Sequence, residues 1–338
     1  MKIIIIGSGV AGVTFAEKFR DLQPDSEITI LTRETYGYYS RPLLSRGFSK
    51  DNIEDSIILK TFDKLRAKNI CIFSGVDVTG INAEKQIVNI QKNDDTEQLD
   101  YDKLIIATGS AAFIPPPFMA FRDNFYLLNS LHDLKQLRNF RQDLLNQQKL
   151  PHWAIVGGGL IGCELASDLA VSGDQVTLFH AMDRLMERQL VDEDSQTLLT
   201  VLQSLGVQVM LDQAVQGFPK SAKKINVIAA DESSEFDAVV VATGFKPRTA
   251  LADQAGLDLG RGIKVDQMLQ TSNENIYALG DVAEFPNSKL YAFILPIRNQ
   301  ALWLAGHLNG DINDPWEPPA FNPKAKVHGF EAAHPYLF

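Results

Sequence analysis

Three repeated patterns in this sequence of 338 residues predict an α/β fold built from two similar units. A short apolar strand leads into a glycine turn and then a helix over residues 3–12, and the same pattern returns over 154–162. Each copy is followed later by a strand rich in Val or Ile that ends in Ala-Thr-Gly, at 107–109 and 242–244. The length is sufficient for two domains of ordinary size.

The first unit begins with a β-α-β pattern. Strand is expected over 2–6, helix over 10–20 and strand over 27–31, and two short apolar runs at 70–73 and 87–90 suggest further strands. Residues 36–50 contain Pro42 and Gly47 and have no regular pattern. The run 101–110 is expected to be a buried strand that ends at Gly109.

The second unit follows a linker, which three consecutive prolines at 115–117 indicate. Helix is expected over 130–148, a second β-α-β pattern over about 153–180, and helix over 192–205 with Asp192 as its capping residue. Strands are expected at 207–210 and 225–229, and within 236–249 and 272–284. The tail from Pro315 has little regular pattern.

Composition and charge limit the binding partners and the cellular compartment that fit this sequence. The formal net charge of −10 argues against nucleic acid or an anionic membrane as the main partner. Cys71 and Cys163 form no CxxC pair, zinc spacing or disulfide framework, which fits a reducing cytosol. No apolar run has the length of a signal sequence or a membrane span, and the six histidines do not cluster at metal-ligand spacing. We therefore expect a cytoplasmic protein without a metal site.

The first glycine turn matches a dinucleotide-binding fingerprint. In Gly7-Ser8-Gly9-Val10-Ala11-Gly12 the first glycine permits a tight turn, the second lets the backbone approach a pyrophosphate, and the third lets helix and strand pack closely. The pyrophosphate then lies against the N-terminus of the helix. Glu34 lies 22 residues beyond Gly12, where an acid can accept hydrogen bonds from ribose hydroxyls. The alternative is a purely structural glycine turn.

The second fingerprint is Gly157-x-Gly159-Leu160-Ile161-Gly162, and it lacks the expected acid. His180 follows the strand expected at 175–179, and the nearest acid, Asp183, fits a turn better. Arg184 and Arg188 are candidates for a 2′-phosphate, with solvated turn residues as the alternative. His180 is either an adenosine-ribose contact or a packing residue. These residues leave the choice between NADH and NADPH open.

Five motifs in a fixed order carry a resemblance to a known family. GSGVAG, YDKLIIATGS, GGGLIGCELA, VVVATGFKPRT and TSNENIYALGDVAE together resemble the FAD-dependent pyridine nucleotide oxidoreductases related to glutathione reductase. The resemblance implies two Rossmann-like domains, with FAD at the first fingerprint and NAD(P)H at the second. The FAD domain would comprise 1–111 and 245–320, interrupted by an NAD(P)H domain at 112–244. Residues 321–338 resemble only the beginning of a C-terminal interface domain, so FAD retention and oligomeric state, monomer or homodimer, stay open.

The segment 38–52 distinguishes between branches of that family. It contains no cysteine, so the Cys-x4-Cys pair that disulfide reductases need is absent from it. Arg41 and Pro42, followed by Leu and Ser, resemble the ferredoxin and rubredoxin reductases. The similarity is greatest to bacterial rubredoxin–NAD(+) reductases and flavorubredoxin reductases.

The resemblance also implies roles for single residues. Arg41 and Pro42 would lie beside the isoalloxazine, Asp281 after Gly280 would bind the ribityl chain, and Val78 would offer its backbone to the adenine. Glu164 would point toward the junction of flavin and nicotinamide, with Ile294 near the flavin edge and Lys326 near the isoalloxazine. The Ala-Thr-Gly strand ends would border the cofactors, through Ala107, Thr108, Gly109 and Gly244.

The implied activity is hydride transfer from NADH to FAD, followed by single-electron transfer to rubredoxin or a rubredoxin-like iron protein. No catalytic side chain is expected, because the chemistry belongs to the cofactors. Alternatives are a ferredoxin reductase or NADH oxidase of the same fold, or a non-catalytic sensor or interaction protein that binds FAD and NADH. The resemblance favours NADH.

Overall fold

The computed structural model describes residues 1–221, 224–230 and 232–337, and the chain divides into two compact units. The first unit comprises Met1–Ser40, Ile58–Ala111 and Lys246–Phe321. The second comprises Arg41–Ile57, Ala112–Phe245 and the residues from Asn322 onward. Within the described ranges, no helix has the length and apolar character needed to cross a membrane.

A five-stranded parallel sheet forms the centre of the first unit. Its strands lie in the order Ile276–Ala278, Lys103–Ile106, Lys2–Ile6, Glu27–Thr32 and Ile70–Ser74. The central strand buries four consecutive isoleucines, as expected for a parallel strand covered on both faces. The helix Val10–Leu22 buries Val13, Phe15 and Phe19 and packs against the helix Ile294–Asn309. The glycine turn therefore lies at the carboxyl end of the central strand.

The remaining elements of the first unit are short. A three-stranded antiparallel sheet comprises Asp77–Asn82, Ile87–Lys92 and Asp95–Asp100. Tyr38–Tyr39 pairs with Ile58–Lys60, and Ile263–Lys264 pairs with Ala283–Glu284. The helices are Phe62–Arg66 and Ala250–Gln254, and a 3-10 turn covers Gly280–Val282.

The second unit repeats the parallel arrangement with four strands. Their order is Gln208–Met210, Gln175–Phe179, His152–Val156 and Ala238–Val241. Its helices are Ile53–Ser56, Leu131–Asn146, Leu160–Val171 and Asp192–Ser204, with 3-10 segments at Arg41–Arg46 and Pro116–Asn124. Lys224–Ala229 pairs with Val215–Gly217, Lys220–Ser221 and Glu232–Phe236. Ser110–Ala112 pairs with Phe245–Pro247 where the chain passes from one unit to the other.

The predicted α/β class with two Rossmann-like β-α-β units is confirmed. Asp192 is not the capping residue: it is the first residue of its helix, the N-cap position is Val191, and the Asp192 carboxylate instead lies 3.1 Å from Arg184 Nε. The helix Ile294–Asn309 and the strands Asp77–Asn82 and Asp95–Asp100 were not predicted. Assignment of one unit to FAD and the other to NAD(P)H stays a prediction.

Residues 41–57 group with the second unit, whereas the sequence analysis placed them in the first domain. The physical reason is a set of hydrogen bonds to Asp168, a fully buried carboxylate on the helix Leu160–Val171. Phe48 N and Ser49 N donate to Asp168 Oδ2 at 2.8 and 3.1 Å, and the Ser49 hydroxyl donates to Oδ1. His328 Nε2 lies 3.0 Å from the same Oδ1.

Candidate dinucleotide-binding sites

The first glycine turn has the geometry that a pyrophosphate requires. Gly7 adopts φ 116°, and a Cβ atom there would collide with the carbonyl oxygen of Ala107. A Cβ at Gly12 would collide with the carbonyl oxygen of Gly7, whereas no atom lies within 4 Å of the Cβ position at Gly9. The outer glycines are therefore required by packing, and the middle glycine faces open space at the N-terminus of a helix.

Polar residues of the first unit surround this turn. Ser8 Oγ lies 2.8 Å from Thr32 Oγ1, which accepts a hydrogen bond from Glu34 N at 3.1 Å. Tyr39 donates its hydroxyl to Glu34 Oε1 at 2.7 Å, so the predicted ribose acid is held just beyond the strand Glu27–Thr32. Val10 and Ala11 are the first two residues of the helix.

The turn at Gly280 supplies a second polar edge in the first unit. Asp281 Oδ2 accepts from Ser110 Oγ at 2.7 Å, and Gly280 N donates to Gln300 Oε1 at 2.8 Å. Gln300 is fully buried, and its Nε2 has no hydrogen-bond partner among the described residues. Buried amide donors are nearly always satisfied, so this orphaned donor fits a site in which a bound group supplies an acceptor. Gln300 was not predicted as a site residue, because it lies on the helix Ile294–Asn309, which was not predicted either.

The strand end at 107–109 is fixed by Arg248. Its backbone N donates to Gly109 O at 3.0 Å, its Nη1 donates to Thr108 O at 3.1 Å, and Thr108 Oγ1 donates to Arg248 O at 3.1 Å. Val78 pairs with Ile90 at a register break in the antiparallel sheet. Ile294 is exposed at the first position of its helix.

The second glycine turn repeats the geometry of the first. A Cβ at Gly157 would collide with Ala242 O, and one at Gly162 would collide with Gly157 O. No atom lies within 4 Å of the Cβ position at Gly159. Leu160 and Ile161 begin the helix that follows. Gly244 adopts φ 108°, and its carbonyl oxygen accepts from Phe113 N at 2.8 Å.

His180 lies against this second turn. Its Nδ1 accepts from Gly158 N at 3.0 Å, which assigns the proton to Nε2, and Nε2 lies 3.2 Å from Glu187 Oε2. Glu187 was not among the site residues predicted from the sequence. Arg184 donates to the carbonyl oxygens of Leu190 and Glu187 at 2.8 and 3.0 Å, so its guanidinium holds the 184–190 segment together.

Glu164 and Lys326, both predicted site residues, meet in the second unit. Lys326 donates to Glu164 Oε1 from its Nζ at 2.6 Å and from its backbone N at 2.8 Å. Ser45 Oγ donates to Glu164 Oε2 at 2.5 Å. Arg41 Nη1 donates to Asn129 O at 3.1 Å, and Pro42 follows it in the 3-10 segment. Both oxygens of the buried Glu164 carboxylate are therefore occupied.

The two thiols differ in burial, and the possible metal ligands do not cluster in the part of the chain that the structure describes. Cys163 is buried, and burial raises the pKa of its thiol, whereas Cys71 is exposed. Across the part of the chain that the structure describes, no group of three or more His, Cys, Asp or Glu side chains is arranged to hold a metal ion.

Comparisons with known proteins identify the family. The model of the pyridine nucleotide-disulphide oxidoreductases matches residues 1–301. The chain is 37% identical over 331 residues to a nitric oxide reductase FlRd-NAD(+) reductase of Escherichia coli O157:H7, covering 96% of this chain and 83% of the relative. The chain therefore belongs to the pyridine nucleotide-disulphide oxidoreductase family, and the resemblance seen in the sequence is confirmed.

Two solved structures share the fold. An NADH:rubredoxin oxidoreductase from Clostridium acetobutylicum has a TM-score of 0.79 and 26% identity, with coverage of 97% of this chain and 80% of that chain. A NAD-dependent persulfide reductase from A. fulgidus has a TM-score of 0.88 and 26% identity, with coverage of 97% and 62%. This chain thus spans less than two thirds of the persulfide reductase.

Proposed function

We propose that this protein is a flavoprotein reductase that binds FAD at its first glycine turn and NADH at its second, and that it delivers electrons to rubredoxin or a rubredoxin-like iron protein. The observation that carries the proposal is the pair of turns, in which the outer glycines are required by packing and the middle glycine faces open space. Two such turns in one chain fit one dinucleotide held permanently and one that exchanges. The names of the FlRd-NAD(+) and rubredoxin relatives support this assignment.

Residues of the first unit hold the flavin nucleotide. Backbone N–H groups of the turn at 7–12 face the pyrophosphate. Glu34 accepts from ribose hydroxyls, Asp281 accepts from the ribityl chain, and the unpaired Nε2 of Gln300 donates beside it. When bound, the flavin would supply the redox chemistry that couples a two-electron donor to a one-electron acceptor. No side chain can perform this chemistry.

Residues of the second unit bind and orient the coenzyme. The turn at 157–162 receives the second pyrophosphate, and Gly159 leaves room for it. The Lys326 ammonium lies 2.6 Å from Glu164 Oε1, so this buried carboxylate has a counter-ion within the unit. By the resemblance, Arg41 would lie beside the flavin, where its guanidinium would stabilise negative charge.

The thiols argue against sulfur chemistry of the kind that the name persulfide reductase implies. A reactive cysteine must be accessible and must ionise. Cys163 is buried with a raised pKa, and Cys71 lies on the strand Ile70–Ser74, away in sequence from both glycine turns. An iron protein fits better than a thiol of this chain as the electron acceptor, and we propose that the reductase meets it in the cytoplasm, as a monomer or homodimer.

Anaerobic stopped-flow spectroscopy tests this proposal. Purified protein should be yellow, NADH should bleach the flavin absorbance, and added rubredoxin should restore it. NADPH in place of NADH tests the coenzyme, and ferredoxin or dioxygen in place of rubredoxin tests the two alternative reductase activities. Bleaching without reoxidation by any iron protein would contradict the reductase assignment, and protein without flavin would contradict FAD binding.

A further inference from the structure

We propose that Glu187 replaces the missing acid of the second fingerprint as the residue that selects NADH over NADPH. It would accept hydrogen bonds from the adenosine ribose and repel a 2′-phosphate. This inference rests on the proposed function, because it assumes that a nicotinamide coenzyme binds at the second glycine turn. Glu187 lies seven residues beyond His180, which occupies the usual position of the acid at the end of the strand Gln175–Phe179.

Three hydrogen bonds connect the Glu187 segment to the glycine turn. Gly158 N donates to His180 Nδ1 at 3.0 Å, and His180 Nε2 lies 3.2 Å from Glu187 Oε2. The neighbouring Met186 N donates to Gly158 O at 2.9 Å. A Cβ at Gly158 would contact Leu185 and His180, so the segment packs closely on the turn. The Glu187 carboxylate is thus held at the edge of the turn through one imidazole ring.

Exposure distinguishes Glu187 from His180. The His180 side chain is only 9% exposed, and both ring nitrogens already have partners. The Glu187 side chain is 22% exposed, and its Oε1 lies 3.4 Å from Arg188 Nε. A carboxylate can accept several hydrogen bonds at once, so anchoring one oxygen to His180 leaves capacity for ribose hydroxyls. His180 is therefore a positioning residue, and Glu187 is the group that a coenzyme would meet.

The two arginines near Glu187 differ in how available they are to a ligand. Arg184 is committed to Leu190, Glu187 and Ser195, and its Nε lies 3.1 Å from Asp192, so it is not offered to a ligand. The Arg188 side chain is 85% exposed beside Glu187, so Arg188 is the residue that would receive a 2′-phosphate if the Glu187 carboxylate were absent. Beside the Glu187 carboxylate a phosphate dianion meets a like charge, and NADH is preferred.

Isothermal titration calorimetry of the flavin-loaded protein tests the role of Glu187 in coenzyme selection without relying on turnover. The ligands are ADP-ribose and ADP-ribose 2′-phosphate, and the wild type should bind the first more tightly. Glu187→Gln removes the charge and keeps the shape, so it should shift the ratio of the two dissociation constants by about tenfold toward the phosphorylated ligand. Glu187→Asp, which keeps the charge, should retain the wild-type preference, and Arg188→Gln should disfavour the phosphorylated ligand further.

The outcomes separate this inference from the proposed function. The expected tenfold change in the ratio of the two dissociation constants corresponds to about 1.4 kcal/mol. If Glu187→Gln binds ADP-ribose but keeps that ratio within about twofold of the wild type, Glu187 does not select the coenzyme. If the folded wild type binds neither ligand, the second turn is not a coenzyme site and the proposed function falls as well. Near-ultraviolet circular dichroism verifies the fold of each variant, and Glu187→Ala, which also removes the charge, provides the same comparison if Glu187→Gln is unstable.

Discussion

The buried ion pair between Glu164 and Lys326 predicts a large loss of stability when one partner is removed. Glu164 is fully buried, and it receives the Lys326 ammonium at 2.6 Å together with hydrogen bonds from Lys326 N and Ser45 Oγ. Lys326→Met keeps most of the side-chain volume and the backbone donor but removes the positive charge. The carboxylate is then left buried without a counter-ion.

The expected magnitude follows from the burial of the two partners. Removing one partner of a buried pair costs about 3–5 kcal/mol. The Lys326 side chain is 26% exposed, and two hydrogen bonds to Glu164 remain in the variant. The cost should therefore lie at the lower end of this range. For a unit of this size about 3 kcal/mol corresponds to a fall in melting temperature of about 6–12 °C. The double variant Glu164→Gln/Lys326→Met should recover part of this loss, because it buries no charge.

Hydrogen exchange of the helix Leu160–Val171 in rising urea measures the effect within the second unit. Lys324→Met provides the matched control, because Lys324 pairs with Glu331 at 2.6 Å on the surface, with side chains 66% and 76% exposed. Water and salt screen that pair, so its loss should leave the exchange profile unchanged. Equal exchange profiles for Lys326→Met and Lys324→Met would refute the reasoning about burial.

Two further predictions concern other groups of the chain. Burial raises the pKa of Asp194, but hydrogen bonds from Ala333 N, His334 N and the His334 side chain lower it, and the net pKa lies below its ordinary value. The stabilisation that Asp194 provides is therefore present above about pH 4 and lost at lower pH. Hydrogen exchange of residues 332–337, corrected for its intrinsic pH dependence, should rise on acidification in the wild type. It should not rise in Asp194→Asn, which lacks the titrating group. Iodoacetamide should modify one thiol per native chain, Cys71, and a second, Cys163, only in denaturant; two modified thiols in the native protein would contradict the burial of Cys163.

Local sequence pattern predicted both glycine turns because two of their requirements are local. Gly7 and Gly157 adopt φ values near 120°, which side chains disfavour, and the third glycine of each turn contacts a carbonyl only a few residues away. The apolar strands and the helices Leu131–Asn146 and Asp192–Ser204 likewise follow from periodicity.

Contacts between distant residues could not be predicted in this way. Lys326 meets Glu164 across 162 positions, and residues 48 and 49 reach Asp168 across about 120, so no window of sequence contains both partners. Glu187 was missed because it lies on an irregular segment with no periodicity, and its position depends on how that segment folds back on Gly158. Gln300 was missed together with its helix, whose exposed apolar residues weaken the amphipathic pattern.

Parallel binding measurements on Gly9→Ala and Gly159→Ala test most directly whether the two turns hold two different dinucleotides. Beyond the adjoining residues, no atom of the chain lies within 4 Å of either added methyl group, so both variants should fold normally, and each should lose only the ligand of its own turn. We expect Gly9→Ala to be depleted of FAD while still binding ADP-ribose, and Gly159→Ala to retain FAD while failing to bind ADP-ribose. Loss of both ligands in one folded variant, or of neither in both, would contradict the assignment of one dinucleotide to each turn.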